Sequence, residues 1–385
     1  MTIRLAKRTE QAQASKIRAM FAHAMGKDDL ISLGIGEPDY DTPKHIVDAA
    51  CDALREGFTH YSPSAGEPFL LRALAEKVQT KNKIDATPQE IIVTIGGQEA
   101  MMLSMLAVID PGDEVLIPDP SFFPYDPVTK FSEGVPVRVP TYEENDFRLL
   151  PEDIEKKITP KTRAILINTP SNPTGAVMTR KDLEGIAELA IKHDLIVFSD
   201  EVYEEFIYEG EHISIGSLEG MKERSFTMNS FSKTYAMTGW RIGYIAAPQK
   251  AVEAMTRIHG LYLTNVSAFV QKGALAALTG PTEPLEEMVS SYKRRRRIIV
   301  DGLNSIPGIE CAEPKGAFYA FPNVKALGKD TYDLAVDMIQ KAGVLTIPGS
   351  AFGELGEGYL RMSYATAEKQ IEEAIERLSD YVKKL

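Results

Sequence analysis

The chain has 385 residues, 44% hydrophobic and 25% charged, a globular balance with apolar mass for a full core and, on length, about two to three domains. Forty-three basic against 55 acidic residues leave a net charge of −12, the opposite of a surface built to neutralise nucleic-acid phosphates. No apolar run approaches the roughly 18 residues a bilayer span needs, and the opening MTIRLAKRTE lacks the apolar core of a signal peptide; together these predict a cytoplasmic protein with no membrane partner.

A helix is expected around Ser15 to Met25. From about Pro88 to Ala247, short apolar runs alternate with helix-length segments. Glu90–Ile95 reads as a buried strand, followed by two glycines and a helix over Glu99–Ile109; Asp113–Ile117 is a second strand after the turn Pro111-Gly112. Ala164–Ile167 is a third, Leu183–His193 has helical spacing, and Leu195–Ser199 is a fourth strand. Ser225–Met228 and Gly243–Ala246 complete the set. Near-continuous apolar strands separated by helices predict an α/β domain with a mainly parallel sheet covered on both faces. Beyond it come a long helix over roughly Pro284 to Leu303, a strand Gly316–Phe321, a helix Tyr332–Ala342, strands Val344–Ile347 and Tyr359–Tyr364, and a terminal helix. This is the pattern of a smaller α+β unit, with which the N-terminal helix is expected to pack, so that the small domain is discontinuous. The expected division is 1–45 for an N-terminal arm and part of the small domain, 46–283 for the large domain and 284–385 for the small one.

Cys51 and Cys311 cannot build a disulfide framework, lack metal-ligand spacing, and read as buried small hydrophobes. The six histidines show no HxH or HExxH pairing, so no metal is expected. The run Lys293–Arg297 lies inside the long helix and reads as a solvated face whose aliphatic stems lie on the core.

In an open parallel sheet, ligands bind beyond the carboxyl ends of the strands, and there the polar residues form one set. Gly96-Gly97-Gln98-Glu99 joins a strand to a helix N-terminus, where free N–H groups suit an anion; alone, such a pair of glycines is more often only a turn. Asn168–Gly175, NTPSNPTG, is a rigid loop that can hold an Asn donor against a ring, or simply a loop. Asp200 in SDEVY ends five mostly apolar residues. A carboxylate there needs a cationic partner, such as a protonated pyridine nitrogen, unless it only caps a helix. Lys233 sits in a stretch free of other charge until Arg241. Desolvation of that kind lowers an amine's pKa and frees it to attack carbonyls. Arg241, with Ser230 and Ser232, can grip a phosphate.

NTPSNPTG, SDEVY and NSFSKTYAMTGWRIGY resemble the class I, fold-type-I pyridoxal-phosphate aminotransferases, in their prokaryotic aspartate and aromatic branch. The likeness runs end to end, through LGIGEPDYDTP, YSPSAGEPFLLRALA, PVRVPTYEENDFRL, GAFYAFP and RMSYAT, and Asp200 stands 33 residues before Lys233. The resemblance implies pyridoxal 5'-phosphate as cofactor, and a large domain of seven-stranded type around it. It implies that Lys233 bears the cofactor and then moves the substrate's Cα proton, and that Asp200 pairs with the ring nitrogen. Tyr203 and Asn172 would hydrogen-bond the ring's phenolic oxygen. Gly97, Gln98, Ser230, Ser232 and Arg241 would hold the phosphate, with Tyr61 reaching it from a neighbouring subunit of an obligatory homodimer. Phe122 would stack on the ring, and Arg361 would bind the substrate α-carboxylate with help from Asn172 and the Gly36 backbone.

Relatives that read an aspartate side chain place a basic residue where this chain has Gln98, and a partner-supplied arginine has no obvious counterpart near Tyr262 to Asn265. The expectation is therefore exchange of an amino group between an L-amino acid (aspartate, aromatic or other) and a 2-oxo acid, with 2-oxoglutarate as acceptor. A carbon–sulfur β-lyase on the same scaffold is the rival expectation. An aminotransferase-like regulator of transcription would carry a DNA-binding domain ahead of the family pattern, which here begins by about Ile31.

Overall fold

The computed structural model describes residues 15–385 together with Ile3, Ala6 and Thr9. Helices α1 (Lys16–Ala24), α2 (Lys44–Arg55) and α3 (Pro68–Thr80) come first, with the short strand β1 (Ile31–Ser32) between α1 and α2. The alternating region is β2 (Ile91–Thr94), α4 (Gly97–Val108), β3 (Glu114–Asp119), α5 (Tyr125–Phe131), β4 (Val135–Pro140), α6 (Pro151–Glu155), β5 (Thr162–Asn168) and α7 (Arg180–Lys192). It continues as β6 (Ile196–Asp200), β7 (Ser225–Ser230), α8 (Phe231–Thr234) and β8 (Gly243–Ala246). Then follow α9 (Gln249–Tyr262), α10 (Ala268–Thr279), α11 (Glu283–Asn304), β9 (Tyr319–Ala320) and α12 (Thr331–Asp337). The last elements are β10 (Val344–Leu345), β11 (Ile347–Pro348), β12 (Leu360–Ser363) and α13 (Glu368–Val382).

Seven strands form one sheet in the order β2-β8-β7-β6-β5-β3-β4. All run parallel except β8, which is antiparallel to both of its neighbours. Pleating divides each strand between two cores. In β2, Ile92 packs with Met105, Phe198 and Met228 on one face, while Ile91 and Val93 pack with Leu70, Leu74 and Ala274 on the other. Burial on both faces is why these strands read as unbroken apolar runs. The carboxyl ends of β2, β3, β5, β6 and β7 consequently lie along one edge of the sheet.

A separate core joins Met20 of α1, Ile31 and Leu33 to Leu334, Val344, Leu360 and Ile371, so the N-terminal helix does pack with the C-terminal elements. Its strands form a three-stranded antiparallel sheet, β11-β12-β9, and a parallel pair, β1-β10.

Several expectations are corrected in detail. Val344–Ile347 is two strands, because the chain leaves the β1 pairing at Thr346 to join β12. Only Tyr319–Ala320 of the segment Gly316–Phe321 is strand; Ala317 has φ 57° and donates to the Phe206 carbonyl, not to a ladder. The helix expected over Tyr332–Ala342 is α12 plus a π-helical turn, Met338–Ala342. Cys311 is buried, but Cys51 is only half-buried. The basic run is a solvated face only at Lys293, Arg294 and Arg297; Arg295 and Arg296 are buried and ion-paired, with Asp39 and with Glu209 and Glu313 respectively. No described helix is long and apolar enough to cross a membrane.

Candidate active site

A cavity of about 400 Å³ opens at the strand-end edge, between the large sheet and the smaller sheets. Each wall follows from a local feature of the sequence. Gly96 caps α4 with φ 82°, a conformation that favours glycine, and an added Cβ would lie 2.7 Å from Arg241 Nη2. This brings the free N–H groups of the α4 N-terminus up to the guanidinium of Arg241. Arg241 is itself held by donating to Thr238 O (2.9 Å) and Ile95 O (3.3 Å). Ser230 ends β7 and caps α8, its hydroxyl 2.9 Å from that of Ser232. Together Gly97, Gln98, Ser230, Ser232 and Arg241 line one end of the cavity with hydrogen-bond donors and a positive charge, a set suited to a phosphate.

The single turn of α8 delivers Lys233 into the cavity, where its Nζ donates to Gly36 O at 2.7 Å. Burial lowers the amine to about 8, against the opposing pull of the Glu37 carboxylate. Asp200, at the end of β6, accepts from Tyr125 Oη (2.7 Å) and from the Val202 N–H (3.3 Å). Burial outweighs those bonds and raises the carboxyl to about 6. A cation beside it would restore the charged form. Tyr203 Oη lies 2.8 Å from Tyr319 Oη, and burial pushes the Tyr203 phenol up.

At the other end, Arg361 of β12 is buried, its guanidinium 4.7 Å from the Tyr319 ring and 5.0 Å from Phe352. It donates to Gly34 O (2.6 Å) and to Asn172 Oδ1 (3.3 Å), but Nε has no partner. A buried donor without an acceptor is costly, and a carboxylate is the group that would satisfy it. Phe122 closes one side, edge-on to Tyr125 at 5.5 Å. Asn172 is held through its backbone N–H by Asn168 Oδ1 (2.8 Å), and Asn168 Nδ2 donates to Asp200 O (3.0 Å).

Twelve of the thirteen expected site residues therefore line this one cavity; Tyr61 does not, being 89% exposed on the surface. Residues not singled out from sequence also line it: Ile17, Phe21, Ile35, Met101, Tyr125 and Tyr319. Ile17 and Phe21 share a face of α1 at i, i+4 spacing, a detectable signal. Tyr125 follows Phe122 by three residues, and Tyr319 lies within the GAFYAFP segment.

A phosphate cradle at one end, a carboxylate-seeking arginine at the other, and an amine of lowered pKa facing an acid between them define an enzyme of amine chemistry. The donor set fits pyridoxal phosphate: a cradle for the phosphate, Asp200 for a cationic ring nitrogen, and an amine to bear the carbonyl. Residues 28–378 match the family model described as aminotransferase class I and II. The chain belongs to that family, and is a pyridoxal-phosphate-dependent aminotransferase acting on an amino acid and a 2-oxo acid. It is 49% identical to aromatic-amino-acid aminotransferase 2 of Thermococcus litoralis, over 98% of each chain. It is 48% identical to an aspartate aminotransferase of Pyrococcus abyssi, over 96% of each. Its fold is similar to that of aspartate aminotransferase from Thermus thermophilus with maleate, with a TM-score of 0.94 at 38% identity, covering 98% of this chain and all of that one. None of these relatives supports a carbon–sulfur lyase.

Proposed function

We propose that the enzyme transaminates L-amino acids with aromatic or other apolar side chains, is not restricted to aspartate, and uses 2-oxoglutarate as acceptor. One observation carries the side-chain reading: Ile17, Phe21, Ile35, Met101 and Phe122 line the cavity, and its only lining cations among the described residues are Lys233, Arg241 and Arg361. With those three assigned to the cofactor and the α-carboxylate, no cation is left for a distal acid. Gln98, exposed at the phosphate end, is the polar side chain left to meet the second carboxylate of an oxo acid. A similarity to both aromatic and aspartate enzymes supports a site of this breadth.

Pyridoxal phosphate, when bound, supplies a carbonyl for the amino group and a ring that withdraws electrons from Cα. In this reading Asp200 keeps a proton at the ring nitrogen, and Tyr125 keeps Asp200 oriented. Tyr203 and Asn172 direct hydrogen bonds at the ring's phenolic oxygen. Gly97 and Gln98 through their backbone N–H groups at the start of α4, with Ser230, Ser232 and Arg241, anchor the phosphate, and Phe122 packs on the ring face. Arg361, with Asn172 and the Gly36 backbone, fixes the α-carboxylate, which sets the Cα–H bond across the ring plane. Lys233 Nζ, an amine whose pKa burial lowers to about 8, takes and returns the proton at Cα. The apolar walls around Ile17 and Phe21 exclude water from that proton.

The working unit is proposed as a cytoplasmic homodimer in which Tyr61 serves the partner's phosphate site; the exposure of large apolar side chains such as Tyr61 and Leu261 supports this. The chain is proposed to divide at 1–45, 46–283 and 284–385, as the separate cores on the large sheet and around β9, β11 and β12 suggest. The test of the substrate reading is turnover with phenylalanine, tyrosine and aspartate in turn, each with 2-oxoglutarate. Comparable or better kcat/KM for the aromatic pair supports it; turnover of aspartate alone overturns it.

A further inference from the structure

The arginine run in α11 has a use in the active site. Asp39 lies in the segment that follows β1, and Arg295 Nη1 donates to both of its carboxylate oxygens, at 2.8 and 2.9 Å. Tyr292, one turn earlier on the same helix, donates to Asp39 Oδ1 at 3.2 Å. The guanidinium is buried between aromatic rings, 5.2 Å from the centre of Tyr292 and 5.7 Å from that of Tyr40. Asp39 keeps an exposed edge while Arg295 is withdrawn from water; the pair is stiff from the arginine's side, because any departure leaves a buried guanidinium short of its partner.

The segment so fixed is the one that meets both reactive ends of the cavity. Gly34 O accepts from Arg361 Nη2 at 2.6 Å, and Gly36 O accepts from Lys233 Nζ at 2.7 Å. At Gly36, an added Cβ would stand 2.5 Å from Tyr319 Oη, so the segment is pressed against the wall with no slack. Only Glu37 and Pro38 separate Gly36 from Asp39. Displacing Asp39 would therefore move the carbonyls that orient Arg361 and Lys233.

We propose that Arg295, Asp39 and Tyr292 are positioning residues for the substrate-carboxylate clamp, setting the Gly34–Gly36 segment against Arg361 from a helix that does not itself touch the cavity. The inference rests on Arg361 being that clamp. Loosening the Arg295–Asp39 pair lets Arg361 turn and weakens carboxylate binding, and it affects ligands without a carboxylate less.

The experiment compares Asp39→Asn, Arg295→Lys, Tyr292→Phe and Arg361→Lys with the parent holoenzyme. Read out are KM and kcat for phenylalanine, inhibition by 3-phenylpropionate, reaction of the bound cofactor with phenethylamine, and thermal midpoint. Expected are a rise of about tenfold in KM and in the inhibition constant for Asp39→Asn, the scale of one lost charge-assisted bond. Arg295→Lys should recover part of it, and Tyr292→Phe, which only loses a hydroxyl, should shift the same constants a few-fold. The phenethylamine rate, which can feel only the Gly36–Lys233 contact, should fall clearly less than kcat/KM for phenylalanine. Equal losses with phenylalanine and phenethylamine, or a lowered thermal midpoint with unchanged carboxylate binding, would show a merely structural pair and overturn the proposal. Should Asp39→Asn not accumulate folded, Tyr292→Phe decides alone, and no shift there counts against it. If Arg361→Lys leaves KM unaltered, the clamp reading itself falls; if it raises KM while the other variants do not, only the positioning role falls.

Discussion

Lys233 and Asp200 are tuned in opposite senses by one cause, burial without a full complement of partners. The free amine is the form that attacks a carbonyl, and it is gained as pH rises through the lowered value. Reattachment of cofactor to the cofactor-free protein should therefore quicken from pH 7 and level off above about 8. Following the cofactor's visible absorbance after mixing checks this, and a rate still climbing at an ordinary lysine's pKa would contradict it. Tyr125 acts on the other partner. Its bond holds Asp200 toward the charged form, so Tyr125→Phe should raise that carboxyl further and weaken cofactor binding about tenfold, on the scale of a hydrogen bond to a charged group. Equilibrium dialysis of the cofactor measures it. Lys233, Asp200 and Arg241 were legible in the sequence because each is a charge set at the end of an apolar run. Tyr125 and Tyr319 were not, since a tyrosine near a motif shows its role only once the tertiary contact exists.

At the scale of elements, the phosphate end depends on the α4 N-terminus and the turn before it. Gly96→Ala would place an alanine at φ 82°, ψ 172°, a region all but confined to glycine and costing about 1–3 kcal/mol, against Arg241 Nη2. Cofactor affinity should fall about tenfold with the circular dichroism spectrum preserved; unchanged affinity would show that the turn is not part of the cradle. The long buried strands β5 to β8 could be read from their composition, as could α7 and α11. Helices α2, α9 and α10 carried no motif that marked them, and α3 showed only within the segment YSPSAGEPFLLRALA. The two-residue strands of the smaller sheets were blurred because their pairing, not their composition, defines them: Thr346 separates β10 from β11 only through the choice of partner strand. In α11 the sequence showed five consecutive cations but not which would face inward. Only the positions of Asp39, Glu209 and Glu313 decide that Arg295 and Arg296 are buried.

At the scale of the molecule, the cavity lies where the parallel sheet ends and the smaller sheets begin. It joins strand-end residues of the large sheet to Arg361 of β12 and to the segment after β1, far apart in the chain. Tyr61 alone stands outside it, which on the proposed reading is the contribution of a second copy. Lys233→Ala and Tyr61→Ala proteins should each lose most activity, while refolding them together should restore it in roughly a quarter of all sites of a statistical mixture. No recovery on mixing would place Tyr61 outside the partner's site. The shared edge also explains why one lysine carries little meaning by itself and much in company with Asp200, Asn172, Tyr203 and Arg241.

The central claim is that this cavity exchanges amino groups on apolar side chains. The most direct measurement mixes the purified holoenzyme with a panel of single L-amino acids, no acceptor present, while following the bound cofactor's visible absorbance. Phenylalanine and tyrosine should convert it in a single turnover, at least as completely as aspartate does, and 2-oxoglutarate should then return it. Conversion by aspartate alone, or continuous release of pyruvate and ammonia without an acceptor, would contradict the account.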